Sequence, residues 1–442
     1  MNGSTPIDVT EFIDSRGFSR YQVLVVALCF LVVFVDGFDV QAIGYVAPAL
    51  LKNFQVSKAA LGPIFSAGLL GMALGALSFG PIADRYGRRP VLLFCTAFFA
   101  VMSLLTSSVD SIQSLMWARF FTGLGLGGVM PNAIAITSEY SPQRSRSTAV
   151  MVMFCGFSLG AALGGFVAAG IIRDFGWQSV FVVGALLPCL VFVLMLLFLP
   201  ESVRYLVLKG GQNSRIRQTL QKLQGSCALA EAVSFVAGES QHRSNPIKHL
   251  FLERRTRMTL LLWVIFFMSL LELYFLSNWL PTVIGEVGIE SSTAIMIAAG
   301  LQVGGTVGTL ALGRLFDKLS PFKALAAIYL LAAGFVVLIS SAGASVPLLA
   351  CAVFGAGFCV VGGQIGANAL TAKAYPTAIR ATGVGWALGI GRVGSICGPL
   401  IGAALLSTHW EMRHVFLLSA IPVSIAAIAA LFLSRTTSID QA

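Results

Sequence analysis

Long apolar runs separated by short polar segments make up most of this 442-residue chain. Each run is near or above the roughly 20 residues that a helix needs to cross a bilayer. The twelve runs lie near 21–50, 58–83, 89–108, 112–139, 147–171, 178–199, 258–286, 292–316, 321–341, 346–374, 379–405 and 413–434. They are continuous rather than alternating with a period of two, and backbone groups inside a bilayer must be satisfied within the segment. The pattern therefore predicts an all-α polytopic membrane protein with twelve transmembrane helices, and not a barrel.

The distribution of charge predicts how these helices are oriented. Of all residues, 57% are hydrophobic and 11% are charged, which is outside the range of soluble domains. The termini and the even-numbered loops hold 23 Lys and Arg residues, whereas the odd-numbered loops hold four. The positive-inside rule then predicts a bacterial inner-membrane protein with both termini and the 201–257 loop in the cytoplasm. The net charge of +10 reflects topology, so no nucleic-acid partner is expected.

The chain also divides into two halves of similar length that carry a weak internal repeat. Four residues of the first half recur in loops of the second: Gly80 and Asp84 as Gly313 and Asp317 at an offset of 233, and Pro142 and Arg146 as Pro376 and Arg380 at an offset of 234. The predicted division is a cytoplasmic segment 1–20, a six-helix bundle 21–199, a cytoplasmic linker 200–257, a second six-helix bundle 258–434 and a tail 435–442. Such a duplication predicts a substrate site between the bundles.

Several motifs resemble those of a known family. The stretches "GPIADRYGRRPVL" (80–92), "RFFTGLGLGG" (119–128), "GFSLGAALGG" (156–165) and "LPESVRYL" (199–206) are similar to motifs of the major facilitator superfamily. More narrowly, "DGFD" (36–39), "SNWLPT" (277–282) and "YPTAIRATGVGWALGIGRVGSICGP" (375–399) resemble the aromatic acid:proton symporter family. The resemblance implies a major facilitator fold and proton-coupled uptake of an aromatic carboxylic acid such as benzoate or a hydroxybenzoate.

Two aspartates in the first span are the strongest candidates for proton binding. Asp36 and Asp39 are three residues apart and so share one helix face. A charge at the bilayer centre costs at least about 2.5–3.5 kcal/mol, and two close carboxylates disfavour joint ionisation. The pair is therefore predicted to hold a proton, and the family resemblance implies the same role. The alternative is that each aspartate pairs with an arginine or caps a helix break near Gly37.

Two arginines lie at membrane depth, Arg119 in the fourth span and Arg392 in the eleventh. A guanidinium there suits a carboxylate. Arg119 lies on the superfamily's fourth-span motif, which implies a coupling role beside Asp36 and Asp39. The repeat equivalent of Arg392 in the first half is Ser158. The positive charge is therefore not a feature that the two halves of the fold share. Arg392 is therefore predicted to bind the substrate carboxylate, with a structural or gating pair as the alternative.

An aromatic substrate needs a flat apolar slot with a few polar groups. The seventh span offers such a set beside a helix break expected at Pro281, and single aromatic residues in the first and eleventh spans could extend it. The candidates are Glu272, Tyr274, Asn278, Trp279, Phe38 and Trp386. The competing interpretation is that these rings face lipid or form the aromatic belts at the membrane surface.

The loops on the predicted cytoplasmic side carry the candidate gating residues. A turn with one acid and three arginines is expected to pair with neighbouring helix ends and to hold the bundles together on this side. The contact is released when the bundles rotate relative to each other. The candidates are Asp84, Arg85, Gly87, Arg88 and Arg89, with Glu139, Arg144 and Arg146 as partners and Asp317 and Arg380 in the second half.

The sequence is less consistent with other functions. The four histidines fall in loops or at a span edge and no nucleotide-binding loop follows a strand, so an enzyme is not expected. A sensor would carry a larger soluble domain. Within transport, the alternatives are a carrier of another organic anion such as muconate, a sugar carrier, or an exporter of drugs or aromatics. No cofactor is expected beyond the proton as coupling ion, and the chain is expected to act as a monomer in contact with lipid.

Overall fold

The computed structural model describes residues 7–210, 213–224, 235–236, 250–252, 255–318, 320–375, 380–407 and 412–439. Nearly all of them are helical. The first half contains α1 (Val9–Asp14), α2 (Arg20–Phe54), α3 (Leu61–Tyr86), α4 (Arg88–Thr106), α5 (Ile112–Tyr140), α6 (Gln143–Phe175), α7 (Gln178–Phe198), α8 (Val203–Lys209) and α9 (Asn213–Gln224). The second half contains α10 (Thr256–Glu286), α11 (Ser291–Lys318), α12 (Pro321–Ser341), α13 (Val346–Ala374), α14 (Arg380–Ser407) and α15 (Met412–Ile439).

Twelve of the described helices are long and apolar enough to cross a membrane, as the apolar runs predicted. They are α2 to α7 and α10 to α15, and each set of six packs mainly with its own members. One local expectation was wrong, because α10 continues through Pro281 to Glu286 without a break. Helix α2 likewise continues through Gly37 to Phe54, so the alternative in which an aspartate caps a break near Gly37 does not apply.

The segment between the two sets is more structured than a simple linker. It contains α8 and α9, and its strand β2 (Phe235–Val236) pairs in parallel with β1 (Ile7–Asp8) near the N-terminus. Ile216 and Leu220 of α9 are buried in the same apolar cluster as Val9 and Ile13 of α1. The N-terminal segment and part of the linker therefore form one small layer on the first bundle.

Glycines allow a close helix contact in the first bundle, between α2 and α6. Gly156, Gly160 and Gly164 lie on one face of α6 and pack against the backbone of α2. A Cβ atom on Gly160 would lie 1.8 Å from the carbonyl oxygen of Phe34. Small residues spaced four apart allow such close backbone approach in membranes, so this stripe has a packing role.

Gly160→Ala should therefore destabilise the protein, because α6 has to move away from α2 to admit the methyl group. Overpacking of this kind costs about 1–3 kcal/mol. Gly80→Ala is the matched control, because no described atom lies within 4 Å of the Cβ position there. Thermal unfolding in detergent should show a lower midpoint for the first variant alone. Equal midpoints would contradict the tight α2–α6 contact.

The two bundles meet at the ends that carry the odd-numbered loops. Lys58, just before α3, pairs with Glu286 at the end of α10. Arg173 of α6 lies 3.9 Å from Glu290, just before α11. Exposed ion pairs such as these contribute little each, about 0–1 kcal/mol. They mark this end as the closed side of the molecule.

Helices α3 and α14 show that the other side is open. Near the closed end, the Ser66 hydroxyl of α3 donates to the carbonyl oxygen of Ile396 at 3.0 Å. On the same face of α14, toward the even-numbered loops, Gly389 and Gly385 are exposed. No described atom lies within 4 Å of a Cβ built on either glycine. The helices therefore separate toward the ends that carry the even-numbered loops.

Candidate functional site

A buried ion pair lies at the middle of the first bundle. Arg119 Nη1 of α5 donates to Asp39 Oδ2 of α2 at 2.9 Å, and Arg119 Nη2 donates to the Asp39 carbonyl oxygen at 3.1 Å. The Ser103 hydroxyl of α4 donates to Asp39 Oδ1 at 2.9 Å. The guanidinium also lies over the Phe181 ring, 5.4 Å from its centroid. Asp39 is thus fully satisfied and ties α2, α4 and α5 together.

Asp36 has different surroundings, although it lies one helical turn from Asp39. Its side chain is also buried, but its Oδ1 atom has no hydrogen-bond donor among the described residues. The charged groups that act on it are Arg392 of the second bundle and Asp39. A buried carboxyl without donors is costly when ionised. Asp36 is therefore the better candidate of the two for taking up and releasing a proton.

Arg392 of α14 faces Asp36 across the contact between the bundles. Its Nη1 atom lies 3.0 Å from the Met72 sulfur of α3 and 3.4 Å from the Tyr274 hydroxyl of α10. Among the described residues, no carboxylate lies within 4 Å of its guanidinium. This half-buried cation is consequently available for an anionic ligand, whereas Arg119 is already bound to Asp39.

A small cavity lies beside these charges and is lined by both bundles. Arg119 is one of its lining residues, whereas Arg392 is not and contacts the cavity lining through Met72 and Tyr274. Phe65 and Leu69 of α3 form an apolar wall, and Tyr274 and Asn278 of α10 face it. The Asn278 amide donates to the Tyr274 carbonyl oxygen at 2.7 Å. The cavity volume of about 20 Å³ holds about one water molecule. An aromatic ring would require its walls to move apart.

The remaining candidates for substrate contact lie outside the cavity lining. Trp279 is buried, packs edge-on against Phe65 and donates to the Pro399 carbonyl oxygen at 3.3 Å. Phe38 is buried and packs against the Gly164 stripe of α6. Trp279 therefore supports the Phe65 wall of the cavity, whereas Phe38 packs inside the first bundle.

Two candidates lie farther away from it. Glu272 is fully buried on the side of α10 that faces Ser419 of α15. Trp386 is 40% exposed and stacks on Trp263 at 5.8 Å between ring centroids. The structure therefore does not bring Glu272 or Trp386 to the cavity, and the stacked tryptophans fit the lipid-facing alternative.

The sequence and the helical architecture correspond to a known family. Residues 29–387, and 262–441 in a second match, fit the family model of the Major Facilitator Superfamily. The chain belongs to the Major Facilitator Superfamily. Among solved structures, the xylose transporter of E. coli in a partially occluded inward-open conformation shares the superfamily fold, with a TM-score of 0.75 and 16% sequence identity over 94% of this chain and 97% of that chain. The expected fold is thereby confirmed.

Relatives within the superfamily are named transporters of aromatic acids. The 4-hydroxybenzoate transporter of Pseudomonas aeruginosa is 42% identical, over 98% of this chain and 97% of its own. The gallate transporter of Pseudomonas putida is 41% identical, over 96% of this chain and 95% of its own. The chain belongs to the family of these aromatic acid transporters, which confirms the narrower resemblance. It is a transporter and not an enzyme.

The superfamily's signature loop, between α3 and α4, holds the candidate gating residues. Arg88 Nε lies 2.9 Å from Glu139 Oε1 of α5, and Arg88 Nη2 lies 3.5 Å from Asp84. The Asp84 side chain is 70% exposed, so it has little contact beyond this pair. Gly87 has a φ of 105°, which only glycine adopts without strain, and it allows the tight turn between the two helices.

Other predicted partners of this loop contact the N-terminal segment instead. Arg146 lies 3.7 Å from Asp14, and Arg144 donates to the Arg16 carbonyl oxygen at 2.9 Å.

Arg85 and Arg89 of the loop itself contact residues in and after α7. The Arg85 carbonyl oxygen accepts from the Tyr205 hydroxyl at 3.1 Å, and Arg89 donates to the Leu196 carbonyl oxygen at 2.7 Å. The candidates Asp317 and Arg380 have side chains outside the described part of the structure.

Sequence reasoning missed Glu201, which sits directly after α7. Its Oε1 atom accepts from the backbone N–H groups of Arg88 at 3.0 Å, Arg89 at 3.2 Å and Ser202 at 2.8 Å. Burial raises the pKa of this carboxyl above its ordinary value, and those donors and the Arg89 charge oppose the rise. Glu201 thus caps the start of α4. The acid within "LPESVRYL" was the available signal.

Ser103 and Met72 were also missed. Ser103 holds Asp39 from a third helix, and Met72 brings the first bundle against Arg392. Neither residue stands out in an apolar span, where serine commonly bonds to its own backbone and methionine commonly fills gaps. Only the packing of the helices assigns them to the site.

Proposed function

We propose that the protein carries a small aromatic carboxylic acid, such as benzoate or a hydroxybenzoate, into the cell together with a proton, by alternating access. Arg392 binds the substrate carboxylate, and Asp36 binds the coupling proton. Asp39 and Arg119 form the fixed part of the site. The relatives named for 4-hydroxybenzoate and gallate support the substrate class.

The observation that carries the proposal is the unequal state of the two arginines at membrane depth, Arg119 and Arg392. Arg119 is bound through Nη1 to the Asp39 carboxylate and through Nη2 to the Asp39 carbonyl oxygen, so a substrate would have to displace a buried carboxylate to reach these two nitrogens. Breaking a buried pair in this way costs about 3–5 kcal/mol. Arg392 faces no carboxylate within 4 Å among the described residues. It lies at the contact between the bundles, where a substrate can bias their relative position.

Coupling follows from the competition of two anions for Arg392. When Asp36 is ionised, its negative charge neutralises part of the field of Arg392. When Asp36 is protonated, the guanidinium is free to hold the substrate carboxylate. Proton and substrate therefore favour each other's binding, and the free energy of this coupling is the same in both directions. A carrier with this property moves both together.

The apolar lining supports an aromatic rather than a sugar substrate. Phe65 and Leu69 give the cavity an apolar wall, and Tyr274 and Asn278 add a few polar groups. The Tyr274 hydroxyl, at 3.4 Å, connects this lining to Arg392. Sites for small ligands commonly combine an apolar lining with few polar groups that fix orientation. A hexose would leave most of its hydroxyl groups without partners against these walls.

The proposal also covers the orientation of the protein and the membrane in which it lies. The excess of Lys and Arg in the even-numbered loops supports a bacterial inner-membrane protein with both termini in the cytoplasm. With that topology the open side of the structure faces inward and the Lys58–Glu286 side faces outward. No subunit contact is needed to complete the site, so the unit that transports is a monomer.

Uptake by cells that express the chain tests the function. The panel is labelled benzoate, 4-hydroxybenzoate, protocatechuate, muconate and a hexose, each with and without a protonophore. We expect accumulation of at least one aromatic acid, lost when the proton gradient is collapsed, and none in cells that carry the empty vector. Uptake of the hexose or of muconate alone would contradict the substrate class. Accumulation that survives the protonophore would contradict proton coupling.

A further inference from the structure

A third acid, Glu272, is buried in the second bundle and is not used by the proposed mechanism. It is fully buried on α10, and neither carboxyl oxygen has a hydrogen-bond donor within 3.5 Å among the described residues. The Ser419 hydroxyl of α15 faces it, although that hydroxyl donates to the Phe416 carbonyl oxygen at 3.0 Å. An acid in such a place needs a physical explanation.

The internal repeat relates Glu272 to Asp39. The offset of 233 that aligns Asp84 with Asp317 also aligns Asp39 with Glu272. The surroundings correspond as well. A Cβ built on Gly184 of α7 lies 3.6 Å from Asp39 Oδ1, and Ser419 of α15, at an offset of 235 from Gly184, faces Glu272. Each acid therefore lies between the first and the last span of its own bundle.

The two positions differ in the cation. Asp39 is neutralised by Arg119, whereas the residue at the same offset from Arg119 in the second bundle is Ala352 of α13, which is buried. A buried carboxylate with neither a cation nor hydrogen-bond donors is unfavourable, and such a group takes up a proton instead. We propose that Glu272 is a second proton-binding site, in the second bundle, and that the protein moves substrate only while this site is occupied.

The described groups around Glu272 supply no positive charge that could neutralise its carboxylate. Ser419 faces it from α15, and the Tyr329 hydroxyl of α12 is bound to Ser269, one turn away on α10, at 3.0 Å. No charged side chain of the described residues acts on it from α2, α11, α13 or α14, the other helices that pack against α10. Arg392 contacts Tyr274, which points to a different side of α10.

The consequence for transport comes through α10. This helix carries Tyr274 and Asn278 on the side of the cavity and Glu272 on the side of α15. Loss of the proton would place an uncompensated charge between α10 and α15 and disturb the packing that positions the cavity wall. The site thus makes transport dependent on a proton that differs from the one on Asp36.

Counterflow in proteoliposomes separates the two protons. Labelled benzoate, whose carboxylate stays ionised over the whole range, is exchanged against unlabelled benzoate at equal pH on both sides, from roughly pH 6 to 10. The background variant is Asp36→Asn, whose coupling position cannot titrate. In this background we expect exchange to fall about tenfold for each pH unit above a midpoint. With Glu272→Gln added, exchange should stay within about twofold across the range, because the amide is neutral at every pH.

Two further measurements keep the test decisive. The double variant Asp36→Asn/Asp110→Asn is the control, because it removes an exposed acid instead of Glu272. Its substrate exchange should still fall at alkaline pH. Infrared spectra of the purified protein at neutral pH should contain a protonated-carboxyl C=O band that is absent from Glu272→Gln, whether or not that variant transports. An alkaline fall that persists in Asp36→Asn/Glu272→Gln, or a spectrum without the band difference, would overturn the proposal. Absence of counterflow in the unmodified protein would contradict the proposed function, while the infrared band would still decide on Glu272.

Discussion

Asp36→Asn is expected to abolish proton-driven accumulation of substrate while exchange of labelled for unlabelled substrate continues. The amide keeps the shape of the side chain but cannot exchange a proton, so the substrate no longer moves with one. Arg392 keeps its positive charge beside a neutral neighbour and still receives the carboxylate. The measurement is uptake into proteoliposomes with an imposed pH gradient, next to counterflow without a gradient. Accumulation should fall to the level of equilibration.

Asp39→Asn is the informative companion, because it should behave differently. Asp39 neutralises the buried Arg119, and its removal leaves a charged guanidinium without its partner. Breaking a buried pair from one side costs about 3–5 kcal/mol. We expect less folded protein in the membrane and a lower unfolding midpoint, rather than well-folded but uncoupled protein. If Asp39→Asn were stable and uncoupled while Asp36→Asn accumulated substrate normally, the two aspartates would have the opposite roles.

Helix number and membrane class could be predicted from the sequence because they depend on local composition. An apolar run of about 20 residues has few alternatives to a membrane helix. The same local reasoning was wrong at Pro281, where α10 continues. A proline leaves only one backbone carbonyl without its helical donor, and packing in a bundle tolerates this. Whether a helix bends or continues therefore depends on neighbours that a single sequence does not reveal.

The site was predictable in its charges but not in their pairing. Asp36, Asp39, Arg119 and Arg392 stand out because ionisable residues are rare at membrane depth. Which arginine pairs with Asp39 is decided by the contact of α2 with α5, and this contact joins residues 80 positions apart. Glu272 was assigned to the cavity because it lies near Tyr274 in sequence. The helical period places it on another side of α10, where it faces Ser419.

The aromatic candidates show the same limit. In a chain with 10% aromatic residues, a ring in a span carries little information about its neighbours. Trp279 forms part of the packing behind the cavity, and Trp386 stacks on Trp263 at an exposed surface. Lipid-facing and cavity-facing sides of a membrane helix are both apolar, so hydrophobicity does not separate them.

Arg392→Lys distinguishes a site in which Arg392 binds the substrate carboxylate from a site in which Arg119 binds it. Lysine keeps the charge but loses the planar fork, so affinity should fall by about 1–3 kcal/mol, roughly five-fold to more than a hundred-fold, for all acid substrates alike. Tyr274→Phe should instead alter the ranking among benzoate and its hydroxylated relatives, because a lost hydroxyl partner affects only substrates that carry a hydroxyl. Equilibrium binding of each acid to the purified variants measures both patterns. Arg119→Lys is the matched control: it should lower stability through the Asp39 pair rather than affinity. If Arg392→Lys bound every acid normally and Arg119→Lys showed the uniform loss, the arginines would have exchanged roles, and the substrate would lie within the first bundle rather than between the two.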